Sequence, residues 1–130
     1  MLVIDASVAV AACYARDGFA EFRGEHLVAP ALMWSEARSA LHELRRRGEV
    51  STADAEASRA RLERCPVEVR RPRALGDQAW RIADDLGWAK TYDAEYVALA
   101  RLLDCRLVTL DARLRRSTEH LGFVISPLEI

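Results

Sequence analysis

Short apolar runs alternate along this chain with longer segments of helical periodicity. Leu2–Ile4, Leu27–Ala29, Val67–Val69 and Arg106–Leu110 read as strands, and Phe123–Ile125 as a fifth short candidate. The first run leads straight into Asp5, and the second is closed by Pro30. A helix is expected from Ala6 to about Tyr14, with Ser7 near its start. Arg16 to Gly24 reads as a short polar connection. From Ala31 to Arg47, Leu32, Met33, Ala37, Ala40, Leu41 and Leu44 recur at helical spacing, and Gly48 follows as a stop. Ser51 or Thr52 opens a further helix that must end before Pro66. Ala74–Leu86 carries Leu75, Ala79, Ile82, Ala83 and Leu86 on one face, and Gly87 ends it. A loop, Trp88–Tyr92, then precedes a helix from Asp93 to about Asp104. Strands alternating with helices predict an α/β fold with a parallel sheet sandwiched by helices. No linker, repeat or low-complexity stretch divides residues 1–130, so one domain is expected.

Composition narrows the class. A chain of 130 residues, 51% hydrophobic and 30% charged, fits a globular domain that buries its own core. No apolar run approaches the ~20 residues that span a bilayer. Asp5 interrupts the apolar N-terminus and no basic stretch precedes it, unlike a secretory leader, so the cytoplasm is the expected location. Cys13, Cys65 and Cys105 are widely spaced and odd in number. They suggest neither a disulfide framework nor a zinc site and read as small apolar residues. His26, His42 and His120 are scattered without a catalytic partner. The net charge of −1 does not announce nucleic acid, but Lys90 is the one lysine among 19 basic residues. The arginines cluster at 45–47, at 70, 71 and 73, and at 113, 115 and 116. Arginine forks suit phosphate; solvated helix faces would use the same residues.

Four acids stand at strand exits or helix starts. Asp5 ends the first strand and Asp111 the fourth, in LVTLD; Asp93 starts a helix in KTYDAEYVALA; Glu36 lies in the first turns of the helix after the second strand. An open parallel sheet can bring such positions to one edge. Four clustered carboxylates repel one another and raise their own pKa values, a conflict that a hard divalent cation removes. Magnesium bridges to phosphate, lowers the pKa of a water and stabilises charge on a phosphodiester. Ser7 and Thr109 stand where they can hold ligand carboxylates or waters. Simpler readings compete. Asp93 and Asp111 also suit helix N-caps, and Glu36 alone suits a solvated helix face. Asp5 is harder to explain away, since a charge at the end of a buried strand needs a partner or a metal.

At these residues the chain resembles the PIN-domain nucleases, and within them the VapC toxins of bacterial toxin–antitoxin pairs. The matching pieces are VIDASVAV around Asp5, APALMWSEARSAL around Glu36, YDAEYVALA around Asp93 and LVTLDARL around Asp111. They span nearly the whole chain in the family's order. The resemblance implies a three-layer α/β/α fold with a central parallel sheet of four or five strands. It implies Mg2+ or Mn2+ held mainly by Asp5 and Asp93, with Glu36 and Asp111 completing the pocket directly or through water. It also implies endonucleolytic cleavage of RNA, a homodimer and a cognate VapB-like antitoxin whose tail plugs the site. The antitoxin is expected across exposed apolar surface on the helices from Leu32 to Leu62.

Among the aromatics, Trp34 and Trp80 sit at helical apolar positions and are expected in core or interface packing. Trp88 and Tyr92, in the loop before Asp93, are better placed to contact RNA, as is Arg113; Tyr96, one turn on, suits packing against the sheet. Two other functions remain open. A haloacid-dehalogenase-like phosphatase also places an Asp after its first strand, as a covalent nucleophile, and Lys90 near Asp93 fits it. Yet Ser7 stands where that family has a second acid, and the chain is short for the fold. The other is a non-catalytic module whose acidic pocket receives a partner.

Overall fold

The computed structural model describes all residues, 1–130. Five parallel strands form one sheet in the order β3-β2-β1-β4-β5: β1 (Leu2–Ile4), β2 (Leu27–Ala29), β3 (Val67–Val69), β4 (Arg106–Val108) and β5 (Val124–Ile125). Six α-helices connect or flank them: α1 (Ala6–Tyr14), α2 (Leu32–Arg46), α3 (Thr52–Glu63), α4 (Leu75–Leu86), α5 (Tyr92–Leu102) and α6 (Ala112–Ser117). Helices α1, α2 and α3 pack on one another, α4 packs on α5, and α5 lies against β1 and β4. The expected α/β architecture, a parallel sheet of five strands between helical layers, is the one observed.

The central strands are buried on both faces, as a doubly covered parallel sheet requires; Leu2, Val3, Ile4, Leu27, Val28, Ala29, Leu107 and Val108 are all core. Helix α5 adds a continuous buried run, Tyr96–Ala100, because it lies directly under the two central strands. Most elements fall within a residue or two of expectation, and the differences have causes. Helix α5 ends at Leu102 because Asp104 takes a left-handed φ of 50°, the conformation that closes helices. Strand β4 ends at Val108: the N–H of Leu110 leaves the ladder for the Ser7 hydroxyl, at 3.0 Å. The Arg16–Gly24 connection holds a 3-10 turn, Gly18–Phe22. Gly18 is obligatory there, since a Cβ would lie 2.1 Å from the carbonyl oxygen of Ala12.

All three cysteines are free. Cys13 is buried as expected and its thiol is pushed up to about 12 by burial; Cys65 and Cys105 are only half-buried. No helix is long and apolar enough to cross a membrane.

Candidate active site

From β1 the chain adds β2 and β3 on one side, then returns to place β4 and β5 on the other. Ligands of open parallel sheets bind beyond the carboxyl ends of the strands at such a reversal. Ile4 is paired with Val108, so the residues that follow, Asp5 and Thr109, emerge side by side at that point.

Asp5 is 5% exposed and Thr109 fully buried. Asp5 caps α1: its Oδ1 accepts the N–H of Val8 at 3.1 Å and the hydroxyl of Ser7 at 2.6 Å, while Oδ2 accepts the hydroxyl of Thr109. Both hydroxyls are themselves fixed by backbone. Ser7 Oγ accepts the N–H of Leu110 and Thr109 Oγ1 that of Asp111, each at 3.0 Å. A hydroxyl that accepts a backbone N–H on one side has its proton free to donate on the other, here to Asp5. Desolvation pushes the Asp5 carboxyl above its ordinary range; Ser7, Thr109 and the Val8 N–H pull it back, and the charge of Asp111 raises it further.

Glu36 lies at the edge of the buried α2 face formed by Met33, Ala37 and Leu41. Its Oε1 accepts the phenol of Tyr96 at 2.6 Å. Desolvation raises the Glu36 carboxyl, Tyr96 opposes the shift, and the charges of Asp93, Asp5 and Glu95 add to it. Asp93 is in the first turn of α5, where the helix dipole favours a carboxylate. Desolvation and the charges of Asp111 and Asp5 nonetheless raise it. Thr91, not Asp93, is the N-cap of α5, so the capping role does not explain Asp93. It does describe Asp111, whose Oδ1 accepts the N–H groups of Arg113 and Leu114 at 2.9 and 3.2 Å.

None of these four acids has a cationic partner. The six ion pairs of the molecule all involve other carboxylates. Asp5, Glu36 and Asp111 are held by neutral donors, and none of the four acids is ion-paired, a donor chemistry that suits a hard divalent cation. No three of the acids stand close enough to form a ready-made cage. The ion that fits such a set keeps several waters and takes one or two carboxylates directly, as magnesium does. Oδ1 of Asp5 accepts two hydrogen bonds and Oδ2 one, so Oδ2 keeps a lone pair for a cation.

A cleft of about 940 Å3 opens over the acids. Glu36, Asp93 and Asp111 line it together with Lys90, Arg113 and Arg116, and Trp88 and Tyr92 face it as well. Asp5 lies behind this surface and does not line it. Trp88, Tyr92 and Arg113, the residues expected at the RNA, all line the cleft. Arg116 and Lys90 were not expected there; the i, i+3 spacing from Arg113 puts Arg116 on the same helix face. Tyr96, the partner of Glu36, lies beside the site by the same spacing from Asp93, and desolvation raises the carboxyl of its neighbour Glu95.

Of the two tryptophans expected in core or interface packing, Trp34 packs against the core. Trp80 is 66% exposed, because it points away from the face of α4 that buries Ala79, Ile82 and Ala83, so it is not core. On the helices from Leu32 to Leu62, Leu41 and Leu62 are buried, while Leu32, Trp34 and Leu44 are partly exposed. Of the three arginine clusters, only the third reaches the cleft; Arg45 and Arg47 instead pair with Glu56 and Glu43.

Comparison with known proteins gives a consistent picture. Residues 2–119 match the model of the PIN domain family. The chain is 39% identical over 116 residues to the VapC ribonuclease Mb0985 of Mycobacterium bovis, covering 88% of each chain. It is equally similar to ribonuclease VapC9 of Mycobacterium tuberculosis. Among solved structures, PAE2754 from Pyrobaculum aerophilum superposes with a TM-score of 0.77 at 28% identity, over 98% of this chain and 90% of that one. A toxin–antitoxin complex from Klebsiella pneumoniae gives 0.70 at 15% identity over the whole of both chains, a likeness of fold.

Proposed function

This chain belongs to the PIN-domain family, and from that premise we propose that it is a divalent-metal-dependent endoribonuclease, the toxin of a VapBC-type pair. The observation that carries the reading is three acids, Glu36, Asp93 and Asp111, lining one cleft with Lys90, Arg113 and Arg116 while the buried Asp5 stands behind them, none of the four paired with an arginine or lysine.

Asp5 and Asp93 are the main holders of Mg2+ or Mn2+, with Glu36 and Asp111 acting directly or through water. Such an ion, when bound, lowers the pKa of water at the site and stabilises charge on a phosphodiester. The protein's own part is positional. Ser7 and Thr109 keep the Asp5 carboxylate oriented and ionised against its burial. Arg113 and Arg116 receive the backbone phosphates next to the cut, and Trp88 and Tyr92 offer ring faces to unpaired bases. Residues 1–130 act as one domain in the cytoplasm, as a homodimer, with a VapB-like antitoxin as partner. The exposed Trp80 is the side chain whose replacement by Ala tests the homodimer contact by size exclusion.

The test is incubation with total RNA, with and without Mg2+, beside Asp93→Asn. Cleavage that requires the metal, leaves 5′-phosphate and 3′-hydroxyl ends and vanishes in the variant is the expected result. Cutting that persists in excess EDTA, or that survives Asp5→Ala, would overturn the mechanism. Turnover of a small phosphate ester in place of RNA would return the phosphatase reading.

A further inference from the structure

The Tyr96 phenol donates to Glu36 Oε1 at 2.6 Å from a ring that is 1% exposed. From this geometry we infer that Tyr96 is a positioning residue, which fixes the Glu36 carboxylate at the cleft and so sets how tightly the site takes a divalent cation. The inference rests on the metal-binding part of the reading above and adds a residue that neither touches the cleft nor carries charge.

Helix α5 brings Tyr96 to this place because its buried face lies against β1 and β4. The ring cannot swing out to solvent. The phenol has one proton to give, and it gives it to Glu36. The arrangement resembles what Ser7 and Thr109 do for Asp5, where a hydroxyl held by the fold fixes a carboxylate. Tyr96 thereby ties α5 to the helix that carries Glu36. Glu36 is long and only half-buried, so without the phenol its carboxylate samples several rotamers. Holding it in one geometry removes an ordering cost from cation binding.

Tyr96→Phe deletes the hydroxyl and keeps the ring, so the packing of α5 is retained. Mn2+ affinity is measured by calorimetry on the RNA-free protein, in the wild type, Tyr96→Phe, Glu36→Gln and the double variant. Loss of an outer-shell partner lowers metal affinity by about 10-fold or more. That loss is expected for Tyr96→Phe against the wild type, and a change of less than about 2-fold when it is added to Glu36→Gln. Glu36→Asp, which keeps the charge but withdraws the carboxylate from the phenol, is expected to reproduce the loss and to mask Tyr96→Phe in the same way. Unchanged Mn2+ affinity in Tyr96→Phe, or an equal loss in all three backgrounds, would overturn the inference, since a general structural defect acts whatever residue stands at 36. The titration contains no RNA. A protein that binds Mn2+ in this pattern yet cuts no RNA would refute the ribonuclease reading and leave the role of Tyr96 standing.

Discussion

Thr109→Val replaces a fully buried hydroxyl with a methyl of nearly the same size, so its effect isolates hydrogen bonding from packing. Two bonds are lost: the one Thr109 donates to Asp5 Oδ2 and the one it accepts from the N–H of Asp111. A hydrogen bond to a charged group contributes about 2 kcal/mol, and leaving a partly buried N–H unpaired costs about 1 more. The variant should lose about 3 kcal/mol at neutral pH. For a domain of this size the unfolding entropy is roughly 0.3 kcal/mol per degree, so the melting temperature should fall by about 10 °C. The pH dependence has a definite sign. The folded carboxyl of Asp5 is raised above its unfolded value of 3.8. Its contribution to stability is therefore full below that value and is lost as pH rises through the folded one. Removing a donor that favours the ionised form raises the folded value further, so the penalty of Thr109→Val is largest at pH 7 and shrinks on acidification. Thermal unfolding by circular dichroism in EDTA, at pH 7 and pH 4.5, measures both effects. Ser7→Ala serves as the milder control, because the Val8 N–H continues to serve the same carboxylate oxygen. An unchanged melting temperature at pH 7, or a gap from wild type that widens in acid, would refute the reasoning.

Asp93→Asn removes a charge that Asp111 and Asp5 repel. RNA cleavage should fall by more than the roughly 100-fold that outer-shell losses cause, while the EDTA-treated protein melts within about 0.5 kcal/mol of wild type or above it; a marked drop in melting temperature would contradict this. Saturating Mg2+ or Mn2+, at about 100 times its Kd, should add about 2.7 kcal/mol of stability. The increment should be smaller at pH 5 than at pH 7, because protons compete for the raised carboxyls of Asp5, Glu36 and Asp93; scanning calorimetry at the two pH values decides it. Arg113→Ala and Arg116→Ala should each weaken RNA binding at all sequences and flatten the plot of log K against log salt by about 0.7. Filter binding across a salt series would show an unaltered slope if these arginines lie outside the RNA path.

Much of the fold is legible because this sheet is buried on both faces. Continuous apolar triplets such as Leu2–Ile4 then stand apart from the 3.6-residue pattern of α2 and α4, and Gly48 and Gly87, both at positive φ, mark where those helices stop. The acids are legible too, since Asp5 and Asp111 directly follow strand signals. What the pattern does not carry is sidedness at the level of single contacts. Trp80 sits at a helical apolar position yet points outward, because α4 buries only the stripe through Ala79, Ile82 and Ala83. Tyr96 reads as core, which it is, while the one polar atom it carries is the part that reaches the site.

The choice of hydroxyls over cations as partners for these acids has a physical consequence. An arginine beside Asp5 or Glu36 would hold the carboxylate below its ordinary pKa and stabilise the metal-free protein. It would also compete with the metal for the same oxygens and repel it by charge. Ser7, Thr109 and Tyr96 orient their carboxylates without adding positive charge. The metal-free site is thereby left with raised carboxyls and uncompensated repulsion, a standing cost to folding stability that only a cation or acid relieves. Substitutions that neutralise Asp93 or Glu36, the two acids that cap no helix, should for that reason favour the folded protein as they remove activity, and a site neutralised there that melts well below wild type in EDTA would show that these acids serve the fold rather than a metal.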